Sequence, residues 1–325
     1  MILIGFMHFR KKPTNKAYAF AAVAKIEGAE LLYFSPGMVD FEKRTINGYM
    51  YHNGEWTKTL SKFPDVICNV TGFTRDSQNE TVERLSTEIP FTSFPIGSKA
   101  TVYKNILRYN EFADYLVPTE VVNSEKHFFE LLDKYGEVVF KPSMGCQGTD
   151  VYYVKKGEVP NQIAEKIASQ EFLVQPYINC RTKSGDAYDL RLHVQKDKNA
   201  KWVLTKIYPR IAESGSIVCN LARGGSTTGL TLLLQREFGE RAQSLQKTIE
   251  IFALQLAAHM DKIQSELYNE ELDELGIDVG LDDSQKIWIY EINWRPGYPP
   301  SMNLDLNIVK NTIGYAMHLA GKRRA

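Results

Sequence analysis

The sequence predicts an α/β (α+β) protein: a small, doubly wound N-terminal lobe followed by two α+β lobes. Three observations carry that expectation. The chain has 325 residues, 43% of them hydrophobic, enough to bury a sizeable core and too many for one small domain. Strand and helix patterns alternate over residues 1–97, the rhythm of a βαβ lobe. The later half carries long strands of alternating polarity with a long amphipathic helix between them, which suits an antiparallel sheet with one buried face.

Each element is legible in turn. ILIGFM reads as the first strand, the alanine-rich residues 16–26 as a helix stopped by Gly28, and LLYFS as the second strand. Two Asn-Gly pairs follow, Asn47-Gly48 and Asn53-Gly54, both hairpin signals because Asn and Gly tolerate positive φ. DVICNV is a strand, 76–86 a helix and IPFTSF a strand, closing a first lobe at 1–97. No GxGxxG follows the first strand, so this lobe is not read as a dinucleotide site. Residues 99–114 read as a helix and VPTEVV as a strand. Ser124 caps a helix running to 134, with Gly136 past its end. EVVFKPS and VYYVKKG are strands joined by the glycine loop MGCQGTD. A short helix opened by proline (PNQIAEKIASQ) and the strand FLVQPYI complete a second lobe at 98–178. YDLRLHVQ, WVLTKIYPRIA and SIVCNLA form the antiparallel sheet, with a helix at 234–261 behind it. IDVGLD and KIWIYEINW add two strands, and a helix at 305–320 ends a third lobe at 179–325.

Composition excludes several classes. Lysine plus arginine equals aspartate plus glutamate, 39 each, so the basic excess of a nucleic-acid binder is absent. No run approaches the roughly 18 apolar residues of a membrane helix. The opening apolar run is shorter than a signal-peptide core and its basic residues follow rather than precede it. Cys68, Cys146, Cys180 and Cys219 form no CxxC pair and no zinc spacing. A soluble, cytoplasmic protein is expected.

The strongest chemical signal is IDVGLD…IWIYEINWRPG. Glu291 and Asn293 are two apart and leave one face of a strand; Asp278, on the strand before, can meet them across a paired ladder. Three oxygen-bearing side chains on one sheet face suit Mg²⁺, a hard ion. Outward residues on a half-exposed sheet give the same pattern, but the apolar flanks favour burial, and buried carboxylates need a partner. In VVFKPSMGCQGTDVYYV, Lys141 ends an apolar strand, and Gly145 and Gly148 allow backbone N–H groups close to phosphate oxygens; a plain hairpin with a surface lysine is the alternative. Gln175, beside the backbone at Tyr177 and Ile178, is either an adenine contact or a buried structural amide. Asp189 and Arg191 share a face and Arg210 follows on the next strand, either as cross-strand ion pairs or as a cationic lining for a transferred phosphoryl group. NLARGGS, with Asn220, Arg223, Gly224 and Gly225, is a turn or a second phosphate-facing loop. Lys99 alone carries no signal.

The order of these parts carries more than any one of them. Lys99 before a helix, VFKPSMGCQGTDVYYV, YDLRLHVQ, IYPRIAESGSIVCNLARGG and LGIDVGLD…WIYEINWRPG together resemble the ATP-grasp superfamily, and more narrowly its YheC/YheD group. The resemblance spans most of the chain, from Lys99 to Pro296, and implies an ATP-grasp fold clamping Mg-ATP. It also implies an ATP-dependent carboxylate–amine ligase working through an acyl phosphate. By that resemblance Lys99, Lys141, Gly145, Gly148 and Asn220 contact ATP, and Gln175, Tyr177 and Ile178 sit at the adenine. Asp278, Glu291 and Asn293 hold Mg²⁺. Arg191 and Arg210 face the γ-phosphate, and Arg295 lies at the substrate mouth, where its fork suits a carboxylate. Gln175 stands where many members carry glutamate, and Asn179 and Arg181 stand where a ribose-binding carboxylate is expected. Small-molecule or peptide carboxylates and amines are the implied partners, spore association and a homodimer the implied setting. A kinase on the same fold and a non-catalytic spore-coat scaffold are the rival readings.

Overall fold

The computed structural model describes residues 1–71, 79–143, 150–158, 162–217, 219, 224–297 and 306–324. The first sheet is built from β1 (Ile2–Met7), followed by α1 (Asn15–Ile26), β2 (Ala29–Phe34), β3 (Val39–Asp40), β4 (Thr45–His52), β5 (Glu55–Lys62) and β6 (Val66–Asn69). β1 pairs in parallel with both β2 and β6, and β4 adds antiparallel to β2. Successive residues of a strand face opposite ways, so Ile4 and Phe6 pack with α1 while Met7 packs with Leu85 of α2 (Glu80–Glu88). Helices on both faces make this the doubly wound lobe the sequence predicts. One Asn-Gly pair turns the β4–β5 hairpin at Asn53-Gly54, where Gly54 has φ 90°. The other lies within β4: a Cβ on Gly48 would overlap the Tyr33 carbonyl, so glycine there serves close strand approach rather than a turn.

After α3 (Lys99–Tyr109) comes a four-stranded antiparallel sheet, β7 (Glu120–Val122), β8 (Glu137–Pro142), β9 (Tyr152–Lys155) and β10 (Phe172–Pro176), in the order β7-β10-β8-β9. It is backed by α4 (Glu125–Tyr135) and α5 (Ile163–Ser169) through Phe128, Leu131, Phe140 and Phe172. Ser124 accepts from the His127 amide and Gly136 closes α4, as its sequence signals require.

The third sheet combines β11 (Tyr188–Lys196), β12 (Trp202–Ile211), β13 (Ser226–Thr227), β14 (Glu274–Leu281) and β15 (Ile287–Trp294), all antiparallel in the order β13-β12-β11-β14-β15. Behind it lie α6 (Leu230–Phe238) and α7 (Ala242–Tyr268). The expected single helix at 234–261 is two helices because Gly239, at φ 58°, ends the first. Leu245, Ile249, Phe252, Leu256 and Ile263 of α7 form the stripe that meets Leu190, Leu192, Ile277 and Val279. That leaves the other face of the sheet to polar side chains. The last helix, α8 (Leu306–Arg324), returns to the first lobe, where Val309, Ile313 and Ala316 pack with Ile4 and Val66. No helix among the described residues is long and apolar enough to cross a membrane.

Candidate functional site

Cross-strand register sets the charges on the polar face of the third sheet. Asp189 lies opposite Arg210, Arg191 opposite Asp278, and Asp278 opposite Glu291. Arg210 donates from Nε and Nη2 to the two oxygens of Asp189, each at 2.7 Å, and its Nη2 lies 3.0 Å from Asp278 Oδ2. Arg191 donates to both oxygens of Asp278, from Nη2 at 3.0 Å and from Nε. Burial alone would raise the Asp278 carboxyl; the two guanidinium groups overcome it and hold it below the usual carboxylate range. Burial pushes the Asp189 carboxyl up, and Arg210 opposes the shift.

Glu291 carries the row onward. Its Oε1 accepts from Asn293 Nδ2 at 2.8 Å, and its Oε2 lies 3.3 Å from Lys99 Nζ. Lys99 opens α3, whose N-cap Ser98 accepts from the Thr101 amide. Lys141, on β8 opposite Leu173 of β10, is 8% exposed. Burial draws its ammonium down to about 8; Lys99 adds to the shift, Glu291 and Asp278 oppose it. The two lysines from the second lobe's side thus meet the carboxylates of the third sheet.

Lys99, Lys141 and Glu291 line an open cleft between the second and third sheets. The rest is more apolar: Val102 and Ile106 from α3, Leu173 from β10, and Ile289, Tyr290 and Ile292 from β15. Gln175 is buried in the wall and donates through Nε2 to Thr119 Oγ1 at 2.7 Å. Charged groups beside apolar walls and a fixed amide suit a nucleotide, which is polyanionic at one end and flat at the other.

Tyr290 and Thr119 are cleft residues that sequence reasoning missed. β15 is bulged: Glu291 pairs with Asp278 but Ile289 with Val279, leaving Tyr290 as the extra residue. Tyr290 and Glu291 therefore both line the cleft despite being adjacent. The phenol crosses Gly280, where a Cβ would overlap its hydroxyl. An aromatic next to Glu291 and a glycine two after Asp278 were the only signals available.

Of the residues expected to act together, Lys99, Lys141, Asp278, Glu291, Asn293, Arg191 and Arg210 converge, with Gln175 in the adjoining wall. Tyr177 and Ile178 are half-buried just beyond β10 and are not cleft-lining. Gly145, Gly148, Asn220, Cys146 and Arg223 fall outside the described residues.

Arg295 departs from its expected position at a substrate mouth. Its guanidinium is held inside the junction with the first lobe, Nη1 to Glu274 at 3.0 Å, and Nη2 to Asp273 at 2.7 Å and Thr92 at 2.8 Å. The cause is local: a φ of 51° at Arg295 turns the chain out of the strand alternation that would have continued toward the cleft. Glu274 is also 2.8 Å from His193. Burial would raise the Glu274 carboxyl, but His193, Arg295 and Lys16 together hold it at about 2.

Among the described residues no three or more His, Cys, Asp or Glu side chains gather as a metal site by themselves. Asp278 and Glu291 face each other across the β14–β15 ladder, and Asn293 follows two residues on along β15, so two carboxylates and an amide present hard oxygen donors beside the cleft. Such a partial shell fits Mg²⁺, which keeps waters and shares phosphate oxygens rather than filling an all-protein cage.

Known proteins share the fold and the family of this chain. The family model described as "YheC/D like ATP-grasp" matches residues 88–319. The endospore coat-associated protein YheD of Bacillus subtilis (strain 168) is 24% identical over 91% of this chain and 72% of that protein. Among solved structures, the D-alanine-D-alanine ligase from Coxiella burnetii aligns over 100% of this chain and 97% of its own, with TM-score 0.57 and 13% identity. N5-carboxyaminoimidazole synthetase from Staphylococcus aureus, complexed with ADP, aligns over 96% of this chain and 77% of its own, with TM-score 0.59 and 10% identity. With the family model covering the second and third sheets and most of the site between them, this chain belongs to the YheC/D-like ATP-grasp family.

Proposed function

We propose that the chain is an ATP-dependent carboxylate–amine ligase that works through an acyl phosphate. The observation that carries this reading is the gathering of Lys99, Lys141 and Glu291, with Asp278 opposite Glu291, beside the apolar walls of one cleft. Family membership and the ligase neighbours support it, and the ADP complex of one neighbour supports a nucleotide as the occupant.

Each residue then has a task. Lys99 and Lys141 bind phosphate oxygens, and Gln175, fixed by Thr119, meets the base edge while Tyr290, Ile289 and Ile292 hold its face. Asp278, Glu291 and Asn293 would hold Mg²⁺, which when bound supplies charge neutralisation at the phosphates. Arg191 and Arg210 neutralise charge that develops on the transferred phosphoryl group. A substrate carboxylate oxygen attacks the γ-phosphorus and ADP leaves; an amine then attacks the acyl carbon, loses a proton and expels phosphate. No protein nucleophile is required, because positioning and charge neutralisation carry such transfers.

The test is ADP release from Mg-ATP in the presence of pooled amino acids and short peptides, with the product mass read alongside. A ligase yields ADP, phosphate and a new amide in equal amounts. A phosphorylated product would assign a kinase instead. YheD's description as endospore coat-associated favours one second reading, a coat scaffold that retains the nucleotide cleft; it binds ATP but turns it over with no pool.

A further inference from the structure

Asp278 carries two guanidinium groups. Arg191 grips both of its oxygens, and Arg210 touches Oδ2 at 3.0 Å. A carboxylate so occupied has to loosen these contacts to accept a cation, since its lone pairs are turned toward the guanidinium hydrogens and like charges repel. The two arginines differ in what they keep when that happens. Arg191 keeps a bond from Nη1 to the Gly297 carbonyl at 3.2 Å. Arg210 keeps two bonds of 2.7 Å to the buried carboxylate of Asp189, directly opposite it in the ladder. That grip uses the Nε/Nη2 edge and leaves Nη1 on the far side of the fork.

We propose, on the reading of this cleft as a nucleotide site, that Asp189 is the positioning residue for Arg210. It holds the guanidinium in place and in orientation beside Asp278 when Asp278 turns its oxygens to a cation, so that Arg210 meets the terminal phosphate of the nucleotide. Asp189 thereby selects for a triphosphate without touching it. The short spacing Asp189-x-Arg191 follows from this: one residue steadies the arginine of the neighbouring strand while the other, on the same face, reaches the metal carboxylate on the opposite side.

The experiment is a double-mutant cycle read by calorimetry with Mg²⁺, using a non-hydrolysable ATP analogue and ADP as separate ligands. Asp189→Asn is expected to weaken the ATP analogue by roughly tenfold or more, the scale of a charge-assisted grip, and to leave ADP within about twofold. In an Arg210→Ala background it should add nothing further, because its effect runs through that arginine. Arg210→Lys, which keeps the charge but cannot take the two-oxygen grip, should show the same selective loss and carries the test if Asp189→Asn does not fold. Equal weakening of both nucleotides, or an independent loss in the double variant, overturns the assignment, since a merely structural ion pair behaves that way. If the unaltered protein binds both nucleotides and the variants match it, Asp189 alone is misassigned. If the unaltered protein binds neither, the nucleotide reading fails and this inference with it.

Discussion

The Lys99 ammonium lies 3.3 Å from a carboxylate oxygen of Glu291. One residue opens the helix that leads into the second sheet, and the other sits near the end of the third. Their contact brings a lysine from the second sheet's side against a carboxylate of the third sheet in one cleft.

Glu291→Ala removes an acceptor shared by Lys99 and Asn293. ATP turnover should fall by about 10²–10³-fold, the scale seen when one preorganised charge at a reacting centre is lost. The Glu291 side chain is 24% exposed, so the fold should survive, and a thermal melt within a few degrees of the parent checks this.

Lys141 should make nucleotide binding depend on pH. Its ammonium is drawn down to about 8, first by burial, and phosphate selects the charged form. Affinity should therefore be flat below that value and fall as pH rises through it, by up to about tenfold per unit. Folding stability has the opposite sign: the unfolded lysine binds its proton up to 10.5, so stability rises as pH climbs from about 8 toward 10.5. Lys141→Arg should flatten the binding profile, as read by fluorescence titration of a nucleotide analogue.

Gly280 is fixed by Tyr290. Gly280→Ala forces a methyl group into the phenol hydroxyl, and overpacking of this kind costs about 1–3 kcal/mol. The displaced ring should also narrow the cleft and weaken nucleotide binding. In a Tyr290→Ala background the same substitution should cost much less in denaturant melts; additive losses would show that the two do not couple.

Arg295 is expected to act on stability. Its removal leaves Asp273 and Glu274 buried without their shared cation, which should cost about 3–5 kcal/mol. Chemical denaturation of Arg295→Ala checks the loss, and nucleotide affinity at a temperature where the variant is folded should be unchanged.

The sequence made the site's chemistry more legible than its geometry. Glu291 and Asn293, two apart in an apolar strand, announced a shared face, and that holds in β15. The register that puts Asp278 opposite Glu291 is not encoded in either strand alone, because pairing depends on the partner strand. For the same reason the cleft position of Tyr290 is only faintly marked: a bulge moves one residue onto the cleft face without changing the strand's polarity pattern. Arg295 is placed at a substrate mouth by resemblance alone, and the backbone turn to φ 51° at that residue leaves no mark in the local pattern. Lys99 shows the limit from the other side, a residue with no local signal whose partner lies in a distant strand. In the fold, the βαβ rhythm and the caps of α4 were readable from local rules, whereas the return of α8 to the first lobe is tertiary packing that no local pattern encodes.

The most direct test is a crystal structure with Mg²⁺ and a non-hydrolysable ATP analogue. The account predicts phosphates between Lys99 and Lys141, a cation on Asp278, Glu291 and Asn293, and the base beside Gln175. A nucleotide bound on another surface, or a cation that touches neither Asp278 nor Glu291, would contradict it.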